Sequence, residues 1–468
     1  MDPQIRDALQ RLKLEFTVAM GDVWEHSDVH YAHNEAVARG LKDGIADAAA
    51  RTRSSARGEI IVGQAGSGKT HLIRRARMSL AEEGGFFVQF DINSHDDFWD
   101  AMLGAYRTSL EVNNGGETQL RRLLSKIIDT NGVSQEAAME IKDGRPTVQS
   151  VTAVVTAVSD RHPELDDVCR DALRVLCIFS SPEIPCRDMA SHWLSGLEEA
   201  ERGQRAKWKL HPAPRSTMEI VRALTRIMAL VGPTLIAVDQ IDSLVQKSSR
   251  ATDGSGEHTR ADDRLDALCD DIMTFAEKTW RTFTVVTCLL PTWEQLKATS
   301  LYSSDGRFQS PKYLEDTLPG DTAQQIVAVH VHSRLRDAPF TPPDRCWPVL
   351  PEAFGATVNL NPRRLLRTVT DHAQWCLERD EFTPLASFDR SESDAPNDDG
   401  DSGARFAQLM DELSSVEVID KAHEDEQFPR LLAAGIESMN QEIGARITVR
   451  PEFSASKRGM HVVAHRDE

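Results

Sequence analysis

The sequence predicts an α/β protein built on a parallel sheet, and three stretches of the chain carry this prediction. "GEIIVGQAGSGKTHLIRR" at residues 58–75 has the pattern of a short apolar strand, a glycine-rich turn and the start of a helix. "PTLIAVDQIDSL" at 233–244 contains a second buried strand that ends in a carboxylate. "NPRRLLRTV" at 361–369 begins with an N-cap residue and a first-turn proline, followed by apolar residues at helical spacing. Strands that alternate with helices favour a parallel sheet.

Length, charge and cysteine usage narrow the class of protein. A chain of 468 residues is too long for one ordinary domain, so two to four are expected. The net charge of -19 argues against a protein that covers nucleic acid or an anionic membrane with its whole surface. The seven cysteines include no C-x-x-C pair, which favours a reduced, cytoplasmic chain without disulfides or structural zinc. No apolar run reaches the ~18 residues of a membrane span.

The glycine-rich turn, "GQAGSGKT" at residues 63–70, matches the pattern G-x-x-x-x-G-K-[ST]. Glycines let the backbone wrap closely around a phosphate with its N–H groups turned inward, and the following helix N-terminus adds a positive dipole. Lys69 is then expected to reach the terminal phosphates, and the Thr70 hydroxyl to bind Mg²⁺. The alternative is a tight turn with an exposed lysine. The expected phosphate-binding residues are Gly63, Gln64, Ala65, Gly66, Ser67, Gly68, Lys69, Thr70 and His71.

Asp239 follows the apolar run at residues 235–238. Open α/β sheets bind ligands in the crevice at the carboxyl ends of their strands, so a carboxylate there is a candidate partner of Mg²⁺. The alternative is an aspartate that only caps the next turn.

These two motifs together resemble the Walker A and Walker B elements of the AAA+ and STAND classes of P-loop ATPases, and the resemblance covers about residues 20–387 apart from an insertion. It implies ATP and Mg²⁺ as cofactors and a small helical lid behind the nucleotide. It also implies three roles: Thr287 as the sensor 1 residue that holds the attacking water, Arg307 as an arginine finger offered to a neighbouring subunit, and Arg363 as the sensor 2 arginine, with Arg364 as runner-up. The alternatives are that Thr287 is an ordinary strand threonine and that Arg307 is a solvated surface arginine.

Gln240 departs from the AAA+ pattern, in which a glutamate after the Walker B aspartate polarises the attacking water. An amide cannot take a proton, and loss of a general base typically costs ~10² to 10⁴ in rate. On an extended chain Asp242 points the same way as Gln240 and could supply the carboxylate. A glutamine can also orient a water, as in small GTPases. We therefore expect ATP hydrolysis that is slow or stimulated by a partner.

The resemblance and the composition predict six segments. The predicted fold class is α/β, a P-loop NTPase parallel sheet with an AAA+-like helical lid, a helical insertion and a small C-terminal α+β tail. The tail is either a small partner-binding domain or the beginning of a larger one, and it ends in a hairpin around "SASKRG". The segments are a helical lead-in (1–57), the nucleotide-binding core (58–112 and 216–318), the insertion (113–215), the lid (319–387), an acidic linker (388–403) and the tail (404–468).

A basic segment closes the insertion at residues 202–215. Basic residues around an aromatic side chain can bind a nucleic-acid backbone, which makes this the candidate DNA contact. The alternative, which the pattern favours, is a solvated linker before a capping box at Ser216 and Glu219. The residues concerned are Arg202, Arg205, Lys207, Lys209 and Arg215, with Trp208 among them.

The combination of motifs resembles regulatory ATPases of bacterial defence or mobile-element systems. This resemblance implies that the chain is an ATP-driven regulatory or motor subunit of a multiprotein antiviral defence system. It also implies that the chain forms an oligomer, associates with DNA and binds protein partners through the insertion or the tail. Two alternatives are a STAND-type signalling switch and a nucleotide-binding scaffold that does not hydrolyse ATP. Fold alone does not decide among them.

Overall fold

A computed structural model describes residues 1–14, 23–24, 33–90, 97–114, 116–239, 258–297, 307–388, 447–452 and 461–466. The chain forms two compact units, Met1–Phe388 and Asp389–Glu468. Gln240, Asp242, nearly all of the predicted acidic linker and most of the tail lie outside the described residues. None of the helices in these ranges combines the length and apolar character needed to cross a bilayer.

The first unit contains both helices and strands, and a run of consecutive helices separates its second and third long strands. The strands are β1 (Glu59–Val62), β2 (Phe86–Phe90), β3 (Asn113–Asn114), β4 (Glu117–Thr118), β5 (Thr234–Val238), β6 (Thr282–Cys288), β7 (Lys312–Tyr313), β8 (Leu318–Pro319) and β9 (Thr357–Val358), with β10 (Ile447–Glu452) and β11 (His461–Arg466) in the second unit. The helices are α1 (Pro3–Arg11), α2 (Glu35–Ala50), α3 (Lys69–Glu82), α4 (Phe98–Glu111), α5 (Gln119–Asn131), α6 (Gln135–Lys142), α7 (Val148–Arg161), α8 (Asp167–Phe179), α9 (Ile184–Trp193), α10 (Gln204–Lys207), α11 (Thr217–Ala229), α12 (His258–Lys278), α13 (Leu290–Leu296), α14 (Gly320–Leu335) and α15 (Pro362–Glu378).

Five strands form a parallel sheet in the order β2-β5-β6-β1-β7. Every residue of β1, β5 and β6 is buried, which explains their continuous apolar runs, because helices cover both faces of a parallel sheet. In register, Ile61 lies beside Thr287 and Val238 beside Val286. The carboxyl ends of these three strands therefore meet at one edge. The predicted α/β class with a parallel sheet is confirmed.

The two faces of the sheet have different cores. On one face, α2 and α3 pack against alternate residues of the strands, including Ile61, Phe87 and Phe283. On the other face, the core of α4 and α11 continues without a break into helices α5 to α9. The segment predicted as an insertion is helical, and it shares its apolar core with the sheet.

The outer edge of β2 is closed by the side chain of Gln119. Its amide accepts a hydrogen bond from the N–H of Phe87 at 2.9 Å and donates to the carbonyl oxygen of the same residue at 2.8 Å. It also donates to the carbonyl oxygen of Ser109 at 2.8 Å. A helix side chain thus takes the place of a neighbouring strand, which protects the edge from pairing with another chain.

Glu59, at the start of β1, is a fully buried carboxyl group. Neither of its oxygens has a hydrogen-bond partner within the described residues. Burial raises the pKa of Glu59; Lys312 opposes this shift, and Asp43 adds to it. Burial at the start of the strand that carries the glycine-rich loop therefore disfavours the charged form of this acid, which raises its pKa.

A second apolar cluster is built by α14, α15 and the short 3₁₀ helix Pro351–Phe354. Helix α1 joins this cluster through Ala8, Leu9 and Leu12, although α2 belongs to the sheet. The predicted lead-in segment therefore contributes to two separate cores. In the second unit, β10 and β11 pair antiparallel, as the predicted hairpin requires.

Candidate nucleotide-binding site

The glycine-rich loop connects the end of β1 to the start of α3. Gly66 has φ +86° and Gly68 has φ +98°, a backbone region that favours glycine. The Ser67 hydroxyl donates to the carbonyl oxygen of Gln64 at 2.9 Å and closes the turn. A Cβ atom on Gly63 would lie 2.6 Å from the Ser67 oxygen, so the first glycine is required for packing.

Lys69 is the first residue of α3, and its ammonium group lies inside the curve of the loop. Nζ donates to the carbonyl oxygens of Gly63 at 2.7 Å and Gln64 at 3.0 Å. Thr70 and His71 follow in the first turn of the helix, where backbone N–H groups lack an intrahelical partner. The His71 side chain is buried, so only its backbone can face a ligand at the loop.

Asp239 joins the loop to the neighbouring strands. It follows β5, is 4% exposed, and its carboxylate accepts a hydrogen bond from the Thr70 hydroxyl at 3.0 Å on Oδ2. Its other oxygen accepts from the hydroxyl of Thr287, which is fully buried on β6. The register explains this contact, because Val286 pairs with Val238 and the next residues along the strands are Thr287 and Asp239. Three residues predicted from separate motifs therefore form one hydrogen-bonded group.

The start of α15 lies directly against the loop. Asn361 caps the helix, with its side-chain oxygen accepting from the N–H of Arg364 at 3.0 Å. The Nδ2 group of the same side chain donates to the carbonyl oxygen of Ala65 at 3.2 Å, and the Arg363 N–H donates to that of Gly66 at 3.3 Å. The structure thus brings Arg363 to the loop, half-buried, while Arg364 is exposed.

Arg307 lies away from the loop of its own chain. Its carbonyl oxygen accepts from the N–H of Gly58, at the amino end of β1, whereas the loop follows the carboxyl end. Its side chain, 38% exposed, forms an ion pair with Glu277 at 3.0 Å. A role toward a neighbouring subunit remains a prediction.

The segment before β1 meets the sheet beside the loop. Asn34 accepts a hydrogen bond from the N–H of Glu315 at 3.3 Å, and the preceding Leu314 lies where a Cβ on Gly63 would contact it. His33 is buried; burial lowers the pKa of its imidazole, and the Glu315 carboxylate opposes that shift. No local pattern predicts these contacts, since they join residues far apart in the chain.

The basic segment at residues 202–215 is partly structural. Arg205 is 1% exposed, and its guanidinium donates to the carbonyl oxygens of Leu197 and Pro212. Arg215 lies 3.7 Å from the buried carboxylate of Asp171. Arg205 is therefore excluded from the predicted nucleic-acid contact, and the capping box after the segment is confirmed.

Three basic side chains of this segment are exposed, and Trp208 is half-buried against the apolar core. DNA contact through them remains a prediction. The exposed residues are Arg202, Lys207 and Lys209.

No protein-family model matches this chain, and no curated protein matches its sequence. The functional argument therefore rests on the residues and the geometry described above.

Proposed function

We propose that this chain is an ATP-binding P-loop ATPase of AAA+ type that hydrolyses ATP slowly or with the help of a partner. One observation carries the proposal: the glycine-rich loop, Asp239 and the start of α15 converge at the carboxyl edge of one parallel sheet. Ligands of open α/β sheets bind at this edge.

The residues at this edge fit a magnesium nucleotide. The Thr70 hydroxyl and the Asp239 carboxylate lie 3.0 Å apart and offer the oxygen ligands that Mg²⁺ prefers. Gly68, where an added Cβ would meet nothing within 4 Å, leaves the loop backbone open to the approach of phosphate oxygens. Mg²⁺ held by Thr70 and Asp239 would neutralise negative charge on the phosphates of a bound nucleotide.

Each residue then has a defined task. Thr70 would hold the metal, and Asp239 would bind it directly or through a water. Thr287 orients the Asp239 carboxylate and lies on the strand between β1 and β5, which supports the sensor 1 role. Lys69 would exchange its carbonyl partners for terminal phosphates, and Arg363 would add positive charge from the lid.

We also propose that this ATPase works as an oligomeric regulatory or motor subunit of a multiprotein, DNA-linked defence system. This wider role rests on the resemblance of the motifs. Arg307 is exposed and ion-paired with Glu277, which is compatible with a role in such an oligomer. Its guanidinium could leave Glu277 and bind the phosphates of a nucleotide held by a neighbouring subunit, so its positive charge would remain compensated.

ATP turnover by the purified chain, with and without double-stranded DNA, tests the proposal. We expect turnover in the wild type and its loss in Lys69→Ala. Lys42→Ala is the matched control, because it removes the same charge from an exposed ion pair between α2 and the end of α3. Loss of turnover in Asp242→Asn as well would identify Asp242 as the carboxylate that replaces the usual glutamate as general base. If no ATP is bound by the wild type, the proposal is wrong; binding without turnover would favour the scaffold alternative.

DNA binding is tested separately. The double variant Lys207→Ala and Lys209→Ala should weaken DNA binding and flatten its salt dependence, since each neutralised phosphate contributes about one unit to the slope of log K against log salt. Lys42→Ala with Lys142→Ala, which removes equal charge elsewhere, should bind DNA like the wild type. Equal affinities for both double variants would rule out this segment as the contact.

A further inference from the structure

Asn361 makes two different hydrogen bonds with one side-chain amide. Its oxygen caps α15, and its Nδ2 group reaches the carbonyl oxygen of Ala65, 296 residues earlier in the chain. The residue is 9% exposed. Capping alone needs only the oxygen, because aspartate and serine cap helices as well as asparagine does. The amide nitrogen therefore serves a second purpose.

That purpose is to fix the direction of a peptide group in the loop. In a trans peptide the C=O and the following N–H point in opposite directions. A carbonyl of Ala65 held by Asn361 turns the N–H of Gly66 away from the lid. The bond from the Arg363 N–H to the Gly66 oxygen fixes the next peptide, whose Ser67 N–H donates to the carbonyl oxygen of Gln64 at 3.2 Å. Donors that are oriented in advance bind an anion without a reorganisation cost.

The fit between the two elements is close. A Cβ atom on Gly66 would lie 2.5 Å from Cβ of Arg363 and 3.2 Å from Oδ1 of Asn361. Glycine at this position therefore allows the start of α15 to touch the loop backbone, so the loop and the lid helix hold each other in place.

We infer that Asn361 is a positioning residue that couples the lid to the phosphate-binding loop and sets the loop peptides for the phosphates of a nucleotide. This inference rests on the proposed nucleotide binding, and it assigns the coupling to a neutral side chain next to the predicted sensor arginine.

Asn361→Ser is the decisive variant, because serine retains the cap and is too short to reach Ala65. We expect the affinity for a fluorescent ATP analogue to fall about three- to tenfold, the effect of one lost neutral hydrogen bond. KM for ATP should rise by the same factor while kcat at saturation stays near that of the wild type. Asn361→Asp, which keeps the cap and the shape, should bind more weakly still, since an acceptor and a negative charge then face the Ala65 carbonyl and the nucleotide.

Hydrogen exchange without nucleotide supplies a second readout. In Asn361→Ser the amides of residues 65–68 should exchange about three- to tenfold faster, whereas those in the middle of α15 should exchange like the wild type. A purely structural role would instead accelerate exchange throughout α15, which is the result expected for Asn361→Ala.

Two results would overturn the inference. One is that Asn361→Ser changes neither the affinity for the ATP analogue nor hydrogen exchange in the loop. The other is that Asn361→Ser binds the analogue more tightly, because the contact would then be one that the nucleotide must break. If the wild type binds no nucleotide, the proposed function fails and with it the stated purpose of the contact. In that case, faster loop exchange would still report the link to the lid.

Discussion

Replacing Gly66 or Gly68 by alanine separates the backbone strain of the loop from its contact with the lid. Both residues have positive φ, so alanine at either position costs about 1 to 2 kcal/mol of backbone strain. At Gly68 nothing lies within 4 Å of the added Cβ. At Gly66 the added Cβ would lie 2.5 Å from Cβ of Arg363.

The extra cost at Gly66 follows from this distance. Carbon atoms prefer separations of about 3.5 to 4.0 Å, so the start of α15 must move away by roughly 1 Å. Such overpacking costs about 1 to 3 kcal/mol, and the shift also weakens the hydrogen bonds from Asn361 and Arg363 to the loop. We expect Gly68→Ala to lower the free energy of unfolding by about 1 to 2 kcal/mol and Gly66→Ala by about 2 to 5 kcal/mol.

Urea unfolding of both full-length variants measures the difference, and hydrogen exchange locates it. Only Gly66→Ala should accelerate exchange in the first turn of α15. If both variants lose equal stability and exchange alike in α15, the lid does not rest on the loop and the reasoning is wrong.

Three further predictions concern buried polar groups. Gln119→Leu should lower the free energy of unfolding measured in urea by about 2 to 6 kcal/mol, because the N–H and C=O of Phe87 lose their partner. A decrease below about 1 kcal/mol would contradict this. Thr287→Val should lower the free energy of unfolding by about 1.5 to 3 kcal/mol, since the Thr287 hydroxyl donates to a carboxylate. The same variant should have lower ATP turnover, and turnover equal to that of the wild type would exclude a sensor role. Because the folded-state pKa of Glu59 is raised, its contribution to stability is fully present at low pH and is lost as pH rises above about 4.3. Glu59→Gln should therefore be more stable than the wild type at pH 8 and equally stable near pH 4; the same difference at both pH values would contradict this.

Local patterns predicted the parts of the site that depend on neighbouring residues. The apolar runs before Gly63 and Asp239 required buried parallel strands, and parallel strands place their carboxyl ends at one edge, so the meeting of Thr70 with Asp239 follows from the sequence. The cap at Asn361 was also predictable, because an asparagine before a proline and an apolar helical repeat is a local signal.

Contacts between distant residues were not predictable where neither residue belongs to a motif or a strand end that indicates its partner. The donor from Asn361 to Ala65 joins residues 296 positions apart and leaves no pattern in either segment. Arg205 appears in a basic run, and only the fold reveals that its guanidinium is buried on carbonyl oxygens. Likewise, the amphipathic helix α1 needs an apolar surface, but its sequence does not say that the lid provides it.

The arrangement of the apolar cores indicates which part of the first unit would respond to the proposed nucleotide. Helices α5 to α9 share one continuous core with the sheet, and a close-packed interior resists sliding because displaced side chains lose their contacts. The lid has a separate core, and polar contacts from Asn361 and Arg363 join it to the loop. These few polar contacts hold only the start of α15, so the rest of the lid lies outside the close-packed core of the sheet. On the proposed function, we therefore expect movement on nucleotide binding in the lid and in α1, which packs within it. A partner bound to α5–α9 would instead act on the core that also holds the sheet.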